Sequence, residues 1–264
     1  WEDVIRVMKS AREAVKVAIV GKYMQLEDSY ISLYEALKAA GVTVERKIEV
    51  ESLDSALLES NDQPTWKRLR ECSGIIVPGG FGTRGMEGKI AAAKYARENR
   101  VPYLGICLGM HIMAIALARQ ALGDDSITSQ EFDSERILTP EQYVIHYLPG
   151  QQNADKGGSM RLGGYDTEVV AESRLGDIYG IPSGGVIRER HRHRLEFNNA
   201  FRAKLQGEGV MFSGIFPQQN LVEVMELKDH PFMIGVQYHP ELISRPTKPH
   251  PLFVHFLQSA ILAR

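Results

Sequence analysis

One stretch constrains the fold more than any other: Pro102-Tyr103-Leu104-Gly105-Ile106-Cys107-Leu108-Gly109-Met110-His111. A short apolar run enters it, and a helix-period apolar pattern leaves it over residues 108–122. Cys107 stands at the junction, between Gly105 and Gly109. This is the cysteine form of the G-x-S-x-G elbow, in which small residues let a strand turn sharply into a helix and lift a nucleophile above a sheet. The helix would aim its first amides at the sulfur, where they favour negative charge.

The elements around the elbow alternate. Residues 15–21 read as a buried strand ending in Gly21. Asp28 or Ser29 can cap a helix running to Ala40, with Gly41 as its stop. Strands are expected over 42–50, 74–77 and 101–106, and helices over 64–70 and 86–99. Such a βα succession predicts a parallel sheet covered on both faces, hence an α/β three-layer sandwich. The second half is different. Residues 142–170 alternate weakly between many glycines, which suggests short strands or a hairpin. Further strands are expected over 186–191, 210–215, 221–226 and 233–237, with helices over 174–179, 198–206 and 251–262. Smaller antiparallel strands are therefore expected beside the mainly parallel sheet. Residues 1–14 carry Val4, Ile5 and Met8 at helical spacing and read as a linker from a preceding domain, leaving 15–264 as one domain. Residues 150–158 read as a mobile loop.

The second chemical motif is Gly235-Val236-Gln237-Tyr238-His239-Pro240-Glu241. Pro240 biases His239 away from helix, and residues i and i+2 of an extended segment share a face. A carboxylate on one ring nitrogen of His239 would fix its tautomer and leave the other nitrogen as a base. Cys107, His239 and Glu241 then make nucleophile, base and orienter. A lone cysteine is more often a small buried hydrophobe, and Cys72 reads that way. The elbow glycines and the paired carboxylate separate Cys107 and His239 from that reading.

Composition narrows the alternatives. A net charge of −2 gives no electrostatic case for nucleic acid or an anionic membrane. Two cysteines make no disulfide framework, so a reducing, cytoplasmic setting is expected. No apolar run is long enough to span a bilayer. Gly80-Phe81-Gly82-Thr83-Arg84-Gly85 matches G-x-G-x-x-G, yet the next strand ends in Cys107 rather than the acidic residue a dinucleotide site needs. No P-loop is present. His191 and His193 suggest metal without other ligands at recognisable spacing, so no metal is expected. In the run Glu189-Arg190-His191-Arg192-His193-Arg194, alternation should put the arginines on one face and the histidines on the other.

These motifs, in this order, resemble the class I triad-type glutamine amidotransferases, whose fold is flavodoxin-like. The pattern narrows further. Residues 78–85 and 104–110, Gly158-Ser159-Met160-Arg161-Leu162-Gly163, the 189–194 run and the His239 motif together resemble the C-terminal glutaminase domain of the CTP synthase family. The resemblance implies hydrolysis of L-glutamine through a thioester on Cys107, with His239 and Glu241 completing the triad. It implies oxyanion donors at Gly80 and Leu108. It places glutamine contacts at Gly109, Met110 and His111, with Glu131 for the α-ammonium and Arg194 for the α-carboxylate. The full-length family uses the ammonia in an ATP- and Mg2+-dependent amination of UTP to CTP, on an N-terminal synthetase domain, with GTP as allosteric activator and a homotetramer or filament as assembly. Phe81 and Arg84 are candidate GTP contacts. The chain departs from the family at His111, usually Gln, and at Gln130, usually Thr. Another amidotransferase, a stand-alone γ-glutamyl hydrolase, and a catalytically silent regulatory or assembly module are the competing readings.

Overall fold

The computed structural model describes residues 1–2, 5–7, 13–22, 27–133, 135–147 and 160–263. Their main sheet has the strand order β2-β1-β3-β4-β12-β11-β10-β7-β8. The first five are parallel: β2 (Lys47–Asp54), β1 (Ala14–Gly21), β3 (Gly74–Val77), β4 (Tyr103–Ile106) and β12 (Met233–Val236). The other four run antiparallel: β11 (Leu221–Leu227), β10 (Val210–Phe216), β7 (Arg161–Val169) and β8 (Gly185–His193). The antiparallel strands of the second half thus extend the central sheet. A second, small sheet joins β5 (Thr128–Ser129), β6 (Tyr143–Tyr147) and β9 (Leu195–Phe197).

Period-two alternation splits the core into two layers. Val15, Val17, Ile19, Ile76, Leu104 and Ile106 face α1 (Ile31–Thr43) and the closing α8 (Pro251–Leu262). Ala18, Val20, Ile75, Val77 and Tyr103 face α4 (Met86–Glu98) and α5 (Leu108–Leu122), with α2 (Ser55–Glu59) and α3 (Gln63–Arg70) alongside. The three-layer sandwich is as expected. Every residue of α5 from Leu108 to Ala118 is buried. The helix lies between the main sheet and the small sheet, against Val144, Ile145 and Phe197. That explains why it is apolar all round rather than amphipathic. Among the described residues no helix is long and apolar enough to cross a membrane.

The structure corrects three boundaries. The first long helix passes through Gly41 and ends at Thr43, and the second strand starts at Lys47 rather than 42. Gly41 is there for space: a Cβ on it would lie 2.7 Å from Ile48 Cγ1. No side chain caps that helix, which continues from a 3-10 turn over Glu27–Tyr30. The five-residue α2 was not expected. It starts where Asp54 accepts the Ala56 amide at 2.9 Å, a side-chain cap. Of the short strands or hairpin expected over 142–170, the structure has the strands β6 and β7, and β7 pairs with β8 along nine positions. Residues 2 and 5–7 are helical. Val4, Met8 and the loop expected over 150–158 lie outside the described residues.

Candidate active site

The elbow forms at the carboxyl end of β4. Cys107 has φ 52° and ψ −104°, a strained backbone for a residue with a Cβ. Its amide donates to Val236 O at 2.7 Å, which ties the turn to the neighbouring β12. The flanking glycines are demanded by close approach. A Cβ on Gly109 would sit 1.9 Å from Val77 O, and one on Gly105 would sit 2.4 Å from Gly109 O. Strand and helix could not cross this tightly with any other residue at either position.

β12 runs parallel to β4, with Val236 paired to Ile106. The chain leaving β12 therefore emerges beside the chain leaving β4, and His239 arrives next to Cys107. The Cys107 side chain lies beside the imidazole and helps to raise its pKa. On the other side of the ring, His239 Nδ1 lies 2.7 Å from Glu241 Oε1. His239 is extended, at φ −113° and ψ 82°, as Pro240 requires. The i, i+2 pairing is completed by a 3-10 turn over Pro240–Leu242, not by a strand. Burial alone would lower the His239 pKa. The bonds to Cys107 and Glu241 and their charges outweigh it and raise the value to about 10. Gly79 lies under this pair, where a Cβ would meet His239 Cε1 at 2.9 Å.

Cys107 opens onto a cleft of about 560 Å³. Gly80, Leu108, His111, Glu131 and Arg194 line it. Gly109 and Met110 are not among its lining residues. The Gly109 carbonyl accepts the Tyr103 hydroxyl at 2.8 Å. Met110 is fully buried, its amide bonded to Cys107 O at 3.0 Å. Both face the sheet, because α5 needs that face for packing. At Gly80 a Cβ would make only ordinary contact, 3.4 Å from Leu108 Cδ2, so glycine there keeps the cleft open rather than the core closed.

Glu131 is held by the Gly82 amide, which donates to Oε1 at 3.2 Å. The Gln130 side chain accepts the Tyr147 amide at 3.0 Å, fastening the Glu131 loop to β6. Tyr147 lines the cleft, and the charges of both Glu131 and Arg194 act on it. The alternation of the 189–194 run is as expected: Arg190 and Arg192 are exposed, and His191 and His193 are buried. Cys72 is buried, its thiol donating to Arg68 O at 3.3 Å.

Sequence reasoning missed Gln237, which is fully buried. Its Oε1 lies 2.8 Å from His111 Nε2, and its Nε2 lies 3.8 Å from Cys107 Sγ. The signal was available, since position 237 falls on the same side of the chain as His239. His111 is neutral near pH 7: burial lowers its pKa to about 4, against the raising effect of the Gln237 bond.

Residues 25–259 match the family described as "Glutamine amidotransferase class-I". The chain belongs to the class-I glutamine amidotransferases. Within them its likeness is to CTP synthases. It is 44% identical over 262 residues to the CTP synthase of Bdellovibrio bacteriovorus, covering 99% of this chain and 48% of that protein. It is 46% identical to that of Roseiflexus castenholzii, covering 98% and 46%. It therefore spans about half the length of the curated relatives it matches. The solved glutaminase domain of Trypanosoma brucei CTPS, with bound acivicin, superimposes with a TM-score of 0.85 at 35% identity, covering 94% of each chain. A glutamine amidotransferase from Thermotoga maritima shares the fold alone, with a TM-score of 0.50 at 14% identity.

Proposed function

We propose that this class-I amidotransferase domain hydrolyses L-glutamine to glutamate and ammonia at Cys107. The observation that carries the reading is the strained Cys107 beside a hydrogen-bonded His239–Glu241 pair at the mouth of a cleft lined by Glu131 and Arg194. Glutamine is a zwitterion, so a planar guanidinium for its carboxylate and a carboxylate for its ammonium suit it.

The Cys107 thiolate attacks the side-chain amide carbon. Charge develops on the amide oxygen, and the backbone amides of Leu108 and Gly80 are the donors proposed to meet it. His239, held protonated by its raised pKa, gives its proton to the departing nitrogen. The carbon–nitrogen bond breaks, and ammonia leaves a γ-glutamyl thioester. His239 then takes a proton from water. The hydroxide adds to the thioester, the carbon–sulfur bond breaks, and glutamate departs.

The relatives are about twice as long, which supports a synthetase domain elsewhere in the full-length protein, with the 1–14 segment as the linker that follows it. There the ammonia would aminate UTP to CTP with ATP and Mg2+. GTP activation through Phe81, which is 81% exposed, and Arg84, a homotetrameric assembly and a cytoplasmic location belong to the same proposal.

The test is intact-protein mass after treatment with the glutamine mimic 6-diazo-5-oxonorleucine, beside a Cys107→Ala variant and a glutamine-protected sample. One adduct on Cys107, blocked by glutamine, supports the reading. An adduct on Cys72 overturns the site. No adduct on the isolated domain or on the full-length protein overturns the activity.

A further inference from the structure

A second cluster of chemistry-bearing side chains lies behind the cleft wall. His191 and His193 project from the buried face of β8, and Glu223 projects from β11. His191 Nδ1 lies 2.9 Å from His193 Nε2 and 3.4 Å from Glu223 Oε2. One ligand atom from each of the three lies within 4.8 Å of the others. We propose that His191 Nδ1, His193 Nε2 and Glu223 Oε2 form a binding site for a divalent transition metal of the zinc class.

The lone pairs are arranged for it. His193 Nδ1 lies 3.1 Å from Leu195 O, a carbonyl that can only accept. The proton of His193 is therefore on Nδ1, and Nε2 presents a lone pair to the cluster. An outer hydrogen bond to a backbone carbonyl is the usual orienting device for a metal-bound histidine. Glu223 Oε2 is buried and has no hydrogen-bond partner among the described residues. Its other oxygen, Oε1, takes Arg161 Nη1 at 2.7 Å, which fixes the carboxylate plane and leaves Oε2 directed at the histidines. On binding, the proton of His191 Nδ1 is displaced. It can be replaced on Nε2, which also lacks a partner in the described structure.

Charge favours a cation. Two buried carboxylates, Glu196 and Glu223, share the single guanidinium of Arg161. Both carboxylates are buried, and a cation seated between Glu223 and the histidines would add to the one positive side chain, Arg161, that faces them. Two imidazoles and one carboxylate suit zinc, with a water as fourth ligand. Entry is through the cleft, because His193 lines it. A bound ion would clasp β8, which carries Arg192 and leads directly into Arg194, to β11.

Metal binding is measured on the Cys107→Ala protein, which removes the competing thiolate. The protein is stripped with a chelator, then titrated with Zn2+ by equilibrium dialysis and with Co2+ by visible absorption. The expected result is one Zn2+ per chain and a tetrahedral cobalt spectrum. Glu223→Gln and His193→Gln should each weaken binding at least about 100-fold, while His255→Gln leaves it unchanged. A stoichiometry well below one overturns the proposal, as does unchanged affinity in Glu223→Gln; the cluster is then a hydrogen-bond network only. Should both site variants fail to fold, X-ray absorption on the zinc-loaded Cys107→Ala protein decides. Two imidazoles in the coordination shell support the site, and fewer than two overturn it.

Discussion

His111 Nε2 lies 2.8 Å from Gln237 Oε1, a buried bond between residues 126 positions apart. Neutral His111 donates here, so the nitrogen end of the Gln237 amide is turned to Cys107 Sγ, 3.8 Å away. The amide is then a donor to the nucleophile, and it should favour the thiolate. Gln237→Leu keeps the shape and removes the donor. We expect kcat for glutamine hydrolysis to fall about 10-fold, one charge-assisted bond's worth, with KM within about twofold. A rise in KM at unchanged kcat would instead make Gln237 a substrate contact. His111→Gln can restore the same bond and should leave kcat within about threefold.

Glu241 should be visible in the titration of His239. In Glu241→Gln the His239 pKa falls from about 10 toward neutral, read from the imidazole carbon-bound proton by NMR. The accompanying kcat loss is on the order of 10²–10⁴, the range for a misoriented or mistuned base. The sign for stability follows. A histidine raised above its unfolded value of about 6.5 stabilises the fold fully below that pH and loses the contribution as pH rises through about 10. The advantage of wild type over Glu241→Gln in urea unfolding should therefore be present at pH 6.5 and gone above pH 10. An advantage that grows with pH would contradict the assignment.

Gly109→Ala should be among the most damaging single methyls in the domain. Its Cβ would stand 1.9 Å from a backbone oxygen, so strand and helix must separate. Overpacking against backbone costs about 3 kcal/mol or more. Gly80→Ala, with 3.4 Å to a side-chain tip, should cost under about 1 kcal/mol while impairing activity. Chemical denaturation and glutaminase assays on the two variants separate space needed by the core from space needed by the substrate.

Arg194→Lys and Glu131→Gln should raise KM for glutamine roughly 10- to 100-fold with smaller effects on kcat, since a lysine cannot reproduce a bidentate guanidinium. Equal falls in kcat and kcat/KM would place these groups in the transition state instead of the ground state.

The elbow, the His239 motif and most of the strands were legible because each is local. The glycines, Cys107 and the apolar runs of β4 and α5 state their geometry within a dozen residues. What escaped is what two distant segments make together. The cap and brevity of α2 leave a pattern too short for periodicity. The true end of α1 was hidden because Gly41 serves packing against Ile48, not chain reversal. Gly109 and Met110 sit in the motif but point at the sheet. Gln237, Tyr147 and Glu223 have no motif of their own: Gln237 finds His111 in α5, Tyr147 finds Gln130, and Glu223 finds His191 only where β8 closes toward β11 behind the cleft.

That closing has one more consequence. The amide of His239 donates to the carbonyl of Arg190 at 2.8 Å, although β8 is the far edge of the main sheet. The histidine's height above the sulfur is thus gauged by a strand that also displays Arg192 and leads directly into Arg194. Chain length between positions 190 and 239 is free to vary at the exposed β10–β11 turn, residues 217–220, without disturbing this gauge. A single residue inserted into 191–194 would do the opposite. It would exchange the arginine and histidine faces and leave the cleft lined by the wrong chemistry, with the triad itself unmutated.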